Sequence, residues 1–273
     1  MPLFHRKKDS RPSETATSDV GRFQVRKMPK AYITPGGMNV YVPFLTMSAN
    51  NHLLIAGTTG GGKSTALNGI ITSLLMKYSP FDCQFIMIDP KRVELSAYRN
   101  LPHIVKYAND HKNMIFALTM AMLETERRFK VMESRGEVEF SGSHLYVVID
   151  ELQDLMTTDR KQALPILQRI AQIGRAARVH IIACTQCVLA KIIPTELKVN
   201  FPVILGMRTA TKQQSRYLIE SYGCEELPDP KSAGVCKGII RDGCDLFPVE
   251  IYRYDKAVKD SVISWWLSSR CVA

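Results

Sequence analysis

The sequence has no run of apolar residues long enough to cross a membrane. A membrane-spanning helix needs about 20 such residues, and no stretch of the 273-residue chain approaches that length. The first segment, MPLFHRKKDSRPSETATSD, also lacks the apolar centre of a secretory signal. Both absences predict a cytoplasmic protein with no membrane span.

Cysteine is scarce and irregularly spaced. The seven cysteines are an odd number and show no disulfide framework, which favours a reducing compartment. Cys184 and Cys187 form a C-T-Q-C segment, but the sequence has no second CxxC. Buried, unreactive thiols in or beside a strand are therefore favoured over a redox or metal site.

Outside its first 30 residues, the chain has only a small excess of positive charge. The net charge is +10, and residues 1–30 hold eight Lys or Arg against three Asp or Glu, while the remainder holds 28 against 23. Residues 1–28 are expected to form a disordered basic tail, in which a solvated segment is favoured over an arm that follows nucleic-acid phosphates. Residues 29–50 are expected to be a short lead-in, and residues 51–273 one large α/β domain.

The most specific motif is the octet G-T-T-G-G-G-K-S, which fits the phosphate-binding P-loop. An apolar run, Leu53–Ala56, precedes it, and apolar residues spaced three and four apart follow it up to Tyr78. Glycines let backbone N–H groups surround phosphates, and the new helix directs its positive dipole end at them. Lys63 is expected to reach the β- and γ-phosphates of ATP, and Ser64 to hold Mg²⁺. The predicted nucleotide-binding residues are Gly57, Thr58, Thr59, Gly60, Gly61, Gly62, Lys63, Ser64 and Thr65.

A second apolar run ends in two acids. Residues 145–149 lead into Asp150 and Glu151, the pattern of a Walker B strand. Asp150 is expected to hold Mg²⁺ through its water shell. Glu151 is expected to orient and deprotonate the attacking water, which favours ATP hydrolysis over a kinase reaction.

Two other strand ends carry polar residues. Residues 82–89 predict a buried strand that ends in Asp89, and this acid with Pro90 and Lys91 fits a site-facing position and a simple turn equally well. A strand over residues 180–185 ends at Gln186, which can sense the γ-phosphate or close a turn. Between these strands, residues 113–134 predict a helix whose charged residues form the solvated face: Glu124, Glu126, Arg127, Arg128 and Lys130.

The C-terminal third continues the α/β pattern. Residues 161–173 predict a helix, 203–206 a short strand and 211–222 another helix. Residues 234–240 and 247–252 predict a hairpin around Arg241, Asp242 and Gly243. A closing helix over residues 258–267 is expected to pack Trp265 and Trp266 on the core.

Several segments in a fixed order resemble the motor domain of the FtsK/SpoIIIE DNA translocases, within the FtsK–HerA group of P-loop ATPases. They are HLLIAGTTGGGKS, FIMIDPKRVELSAY, ETERRFKVM, VVIDELQDLM, GRAARVHIIACTQ and SRYLIE. The likeness covers about residues 50–267. It implies a RecA-like P-loop core with a mainly parallel sheet flanked by helices. It also implies a hexameric ring around double-stranded DNA, with ATP bound between subunits.

The resemblance also implies roles for individual residues. Arg175 matches the family's arginine in the GRA segment, a finger that would act in trans on the γ-phosphate, and Arg216 is the alternative. Lys198 and Lys212 match lysines of the pore-facing loops, which would contact DNA phosphates. The chain departs from the family at Cys187, where an arginine is usual, and at Arg178, where the family has glycine and one positive charge would be restored.

The expected function is an ATP-driven translocase of duplex DNA. Because the chain has no room for the family's winged helix, the expected setting is a plasmid, a conjugative element or a phage. One alternative is a conjugative coupling or DNA-packaging ATPase that works with a relaxase or a capsid partner. Another is a secretion-type motor of the same fold that acts on protein. A DNA-binding accessory with a weak site is disfavoured by the intact P-loop and the Asp150-Glu151 pair.

Overall fold

A computed structural model describes residues 52–234, 236–251 and 256–268. The predictions for the tail and the lead-in lie outside these residues. The strands are β1 (Leu53–Ala56), β2 (Cys83–Ile88), β3 (Ile104–Ala108), β4 (His144–Ile149), β5 (Val179–Thr185), β6 (Val203–Gly206), β7 (Cys236–Asp242) and β8 (Asp245–Ile251). The α-helices are α1 (Lys63–Lys77), α2 (His111–Arg135), α3 (Leu152–Thr158), α4 (Arg160–Ile173), α5 (Thr195–Lys198), α6 (Lys212–Ile219), α7 (Pro230–Ala233) and α8 (Lys256–Ser268).

The described strands form one sheet in the order β3-β2-β4-β5-β1-β6-β7-β8. The first six strands of that order pair in parallel, whereas β7 and β8 form an antiparallel hairpin on the β6 edge. The central strands β1, β5 and β6 are buried on both faces and are rich in Ile, Leu and Val, as expected for a parallel sheet covered on two sides.

Helices cover both faces of the sheet. Alternate residues of β1 enter different apolar layers: Leu54 packs in the layer that includes α2 and α4, and Ile55 packs in the layer that includes α1 and α8. In the second layer, Trp266 is buried and its indole N–H donates to the carbonyl of Leu75, 2.9 Å away. This bond and the apolar contacts fix the last described helix against α1.

The predicted mainly parallel sheet, its flanking helices and the C-terminal hairpin and helix are confirmed. Two elements were not predicted from the sequence: β3, a short edge strand, and α3, which begins directly after Glu151. The hairpin turn also lies later than predicted, since Asp242 pairs with Asp245 and Gly243 has a positive φ of 61°.

One prediction within α2 was wrong. Arg128 was expected on the solvated face, but its side chain is only 2% exposed. Its guanidinium pairs with Glu124 and donates to the carbonyls of Ser143, Ala177 and Arg178. The arginine therefore joins α2 to the segments that precede β4 and β5.

A helix that spans a membrane must be both long and apolar. Across the described ranges, no helix meets both requirements.

Candidate nucleotide site

The strand order brings three predicted segments to one edge of the sheet. β5 pairs with β1 on one side and with β4 on the other. Because parallel strands end at the same edge, the P-loop after β1, Gln186 after β5 and the acids after β4 lie side by side. Residues from the three segments line a cavity of about 480 Å³, among them Lys63, Ser64, Asp150 and Gln186.

The P-loop is shaped by close packing as well as by glycine's freedom. Gly62 has a φ of 97°, and a Cβ there would meet the Sγ of Cys236 at 2.1 Å. A Cβ on Gly57 would meet the Cβ of Met207 at 2.6 Å. The hairpin and the segment after β6 therefore hold the loop from behind, and only glycine fits at these two positions.

Lys63 begins α1 and turns back over the loop. Its ammonium donates to the carbonyl oxygens of Gly57 and Thr58 at 2.7 and 2.9 Å. Burial lowers the pKa of this lysine, although the nearby acids oppose that shift. The charge is thus held at the centre of the loop, where a phosphate group would be bound.

Gln186 and Thr59 connect β5 to the P-loop. The hydroxyl of Thr59 donates to the side-chain oxygen of Gln186 at 2.7 Å. The amide group of the glutamine is therefore fixed at the mouth of the cavity. This placement fits the expected sensor role.

Glu151 is held at both oxygens. Its Oε1 accepts from the backbone N–H groups of Gln186 and Gln153 at 3.2 and 3.4 Å, and so caps α3. Its Oε2 accepts from the ammonium of Lys91 at 2.9 Å, and its side chain is only 3% exposed. The carboxylate is fixed beside the cavity, as a general base must be.

Ser64 and Asp150 offer oxygen donors to the same cavity. Burial, with the charges of Asp89 and Glu94, raises the pKa of Asp150 to about 7. Hydroxyl and carboxylate oxygens and a surplus of negative charge suit a hard divalent cation such as Mg²⁺. The residues present therefore fit the predicted metal.

Asp89 and Lys91, whose roles after β2 the sequence left open, have different positions in the structure. Asp89 is fully buried, and its carboxylate accepts from the N–H groups of Val93 and Leu95 and from the hydroxyl of Tyr107. It therefore holds the turn together. Lys91 instead reaches the cavity and Glu151. No motif at the sequence level connects these two residues, which are 60 positions apart.

Arg175 and Arg216, the two candidate fingers, are both exposed. Arg175 lies in the turn before β5, at the opposite sheet edge from Gln186. Seven residues of a strand rise about 20 Å, so this guanidinium does not reach its own chain's nucleotide cavity. A finger role for Arg175 would therefore require the nucleotide site of another subunit.

The three candidate DNA-contacting residues differ in their surroundings. Lys212 is exposed at the start of α6. Lys198 is buried, and its ammonium donates to the Tyr217 carbonyl and pairs with Glu220, so its position does not favour a phosphate contact. Arg178 pairs with Glu139 at 2.9 Å and has a φ of 53°, a backbone conformation that suits the glycine of the resembled family.

The two cysteines of the C-T-Q-C segment also differ. Cys184 lies buried in β5 and lines the cavity, and burial raises the pKa of its thiol. Cys187 is half-buried, and its backbone N–H donates to the hydroxyl of Thr185. A raised thiol pKa disfavours the reactive thiolate form.

Comparison with known sequences gives consistent matches. A sequence model of the FtsK/SpoIIIE family matches residues 19–142 and 136–189, more than half of the chain. The DNA translocase FtsK of Helicobacter pylori strain 26695 is 40% identical over 200 residues, covering 68% of this chain and 23% of the relative. The DNA translocase FtsK of Rickettsia typhi is 33% identical over 219 residues, covering 64% of this chain and 30% of the relative. The chain spans less than a third of the length of these relatives.

Solved structures share the fold. The conjugation coupling protein TcpA of pCW3, in monomer form with ATPγS, is 22% identical with a TM-score of 0.68, covering 78% of this chain and 64% of that chain. The cytoplasmic domain of the type VII secretion ATPase EccC from Thermomonospora curvata is 19% identical with a TM-score of 0.64, covering 79% of this chain and 28% of that chain. Identities this low establish the P-loop ATPase fold alone.

Proposed function

Since the chain belongs to the FtsK/SpoIIIE family of P-loop ATPases, we propose that it hydrolyses ATP to move double-stranded DNA. The observation that carries the proposal is the convergence of Lys63, Asp150 and Gln186 on one cavity, beside which Glu151 accepts a hydrogen bond from the backbone N–H of Gln186. The relatives named as DNA translocases support DNA as the substrate.

Each residue in or beside the cavity has a separate role in the proposed hydrolysis reaction. The P-loop N–H groups and Lys63 bind the triphosphate, and Gln186 contacts the γ-phosphate. Glu151 accepts a proton from water as the water oxygen bonds to the γ-phosphorus and ADP leaves with the electron pair of the broken P–O bond. Ser64 and Asp150 would hold Mg²⁺, which would supply positive charge to the phosphate oxygens.

The proposal includes a homo-oligomeric ring, in the family's manner a hexamer. Arg175 then acts as the finger in a neighbour's site, because its distance from its own cavity rules out action within one chain. A plasmid, a conjugative element or a phage is the proposed setting, with a relaxase or another DNA-processing protein as partner. The exposed Lys212 is the residue proposed to contact DNA phosphates.

The test is the steady-state ATPase rate with and without long duplex DNA, at two salt concentrations. We expect strong stimulation that weakens at high salt, because binding to phosphates releases counterions. Single-stranded DNA of equal nucleotide content is the matched comparison. A rate that is indifferent to DNA would contradict the proposal and would favour a motor that acts on protein.

A pair of variants tests the DNA contact. Lys212→Ala should lower the apparent affinity for duplex DNA and leave the DNA-free rate within about twofold of the original. Lys130→Ala removes an exposed lysine of α2 and serves as the control. Equal effects of the two substitutions would remove Lys212 from the proposal.

A further inference from the structure

The cavity contains a cation that the ATPase motifs do not account for. Lys91 lines the same cavity as Lys63, and its side chain is 41% exposed, whereas that of Glu151 is 3% exposed. The lysine therefore lies between the buried carboxylate and the space that the phosphates would fill.

The backbone that carries Lys91 is well anchored. Asp89 accepts from Val93 and Leu95, and the carbonyl of Asp89 accepts from the N–H of Arg92. Arg92 has a φ of 59°, so the turn reverses sharply just after the lysine. The ammonium is thus delivered by a fixed turn, while its side chain keeps the freedom to change partner.

We propose that Lys91 restrains Glu151 until a γ-phosphate is bound. The Oε1 of Glu151 is already used by two backbone donors, so Oε2 is the oxygen left to take a proton from water. Lys91 occupies Oε2 at 2.9 Å. A γ-phosphate that enters the cavity presents a second anion to the same ammonium. When the Lys91 ammonium moves from Glu151 to that phosphate, Oε2 is freed.

This inference rests on the proposed role of Glu151 as base, and it makes Lys91 a positioning residue. It predicts that Glu151 and the γ-phosphate compete for one ammonium. ADP lacks the γ-phosphate, so ADP binding should not depend on this competition. Hydrolysis is then tied to the presence of a triphosphate by the release of the base.

The experiment is a double-mutant cycle on nucleotide binding, without DNA. Affinities for ATPγS and ADP are measured for the unsubstituted protein, Glu151→Gln, Lys91→Met and the double variant. Glu151→Gln should raise the affinity for ATPγS about tenfold, because a charged partner is lost from Lys91. In the Lys91→Met background this gain should disappear, and ADP affinity should change little throughout.

Two further variants sharpen the cycle. Lys91→Arg keeps the charge and should keep most of the gain. Lys231→Met removes an exposed lysine from another wall of the cavity and should leave the gain from Glu151→Gln intact. Unchanged ADP binding also reports that each variant is folded.

The outcomes separate this inference from the proposed function. An equal gain in both backgrounds, or no gain from Glu151→Gln, would overturn the restraint, since Lys91 would then be only a structural tether. A failure of duplex DNA to stimulate ATPase activity would contradict the translocase and leave this cycle unaffected.

Discussion

Arg175 and Gln186 lie at opposite ends of β5, with seven buried strand residues between them. The proposed finger and the proposed sensor of one chain therefore belong to different nucleotide sites. Mixing two inactive variants tests this division. The Arg175→Ala variant keeps an intact nucleotide site but cannot supply the arginine finger to a neighbour. The Glu151→Gln variant keeps the finger but lacks the general base of its own site.

The mixture should regain ATPase activity, because an Arg175→Ala site can be completed by a Glu151→Gln neighbour. The measurement is the rate of the mixture against the sum of the separate rates. The same mixture made with Arg216→Ala is the control. A mixture no faster than its components would count against action in trans.

The bond between Thr59 and Gln186 should matter for turnover more than for binding. Thr59→Val keeps the shape of the side chain but loses the donor, and we expect kcat to fall about three- to tenfold, the equivalent of one hydrogen bond. Thr59→Ser retains the hydroxyl and should stay close to the original rate. Equal kcat values for the Val and Ser variants would show that the bond has no role in turnover.

Glu151→Gln should stop hydrolysis while ATP still binds. Loss of a general base typically costs about a hundredfold or more in rate, and the amide cannot accept the proton. Single-turnover hydrolysis and ATP binding are measured on the same preparation. Asp154→Asn, in a neighbouring half-buried acid of α3, is the control, and normal hydrolysis by Glu151→Gln would remove the base assignment.

Arg128 should contribute more to stability than its exposed neighbour. Arg128→Met leaves three carbonyls without their donor, and we expect the free energy of unfolding to fall by about 3 kcal/mol. Arg127 also pairs with Glu124 but is exposed, so Arg127→Met should cost about 0.5 kcal/mol or less. Urea unfolding monitored by tryptophan fluorescence compares the two, and equal losses would contradict the structural role.

Acid should destabilise the fold through its buried histidines. Burial lowers the pKa values of His52 and His103 to about 4 and that of His180 well below its usual value. Between pH 6.5 and about 4 the unfolded chain then binds more protons than the folded one, so stability is lost as the pH falls through that window.

His52→Asn separates this effect from that of the carboxylates. The Nδ1 of His52 accepts from the N–H of Ile181 at 3.0 Å, and an asparagine oxygen can replace that acceptor without titrating. Urea unfolding at pH 7.5, 6.0 and 5.0 should show a smaller loss of stability for the variant. Parallel pH dependences for the two proteins would exclude a contribution from His52.

The parts of the site that follow strand ends were predictable from sequence. A P-loop between a strand and a helix, and two acids after an apolar run, are local patterns with a definite place at the edge of a parallel sheet. β3 was missed because IVKYA is short and partly exposed at the sheet edge. α3 was missed because its N-cap is Glu151 itself, a residue already interpreted as catalytic.

What the sequence did not provide are pairings between distant elements. Lys198 has the appearance of a surface charge, yet Glu220 and the carbonyl of Tyr217 enclose its ammonium. Arg128 stands in a charged run, but its carbonyl partners come from the segments before β4 and β5. The Lys91–Glu151 pair could not be predicted from the sequence either, since its two members follow different strands.

The packing behind Gly57 and Gly62 has a consequence for sequence drift. Neither glycine can gain a side chain while Met207 and Cys236 keep their positions, whether or not the protein still turns over ATP. A descendant that lost its activity would therefore retain these glycines. The same packing does not constrain Lys63, Glu151 and Gln186. Substitutions at these three positions would therefore distinguish a descendant without ATPase activity from an active one.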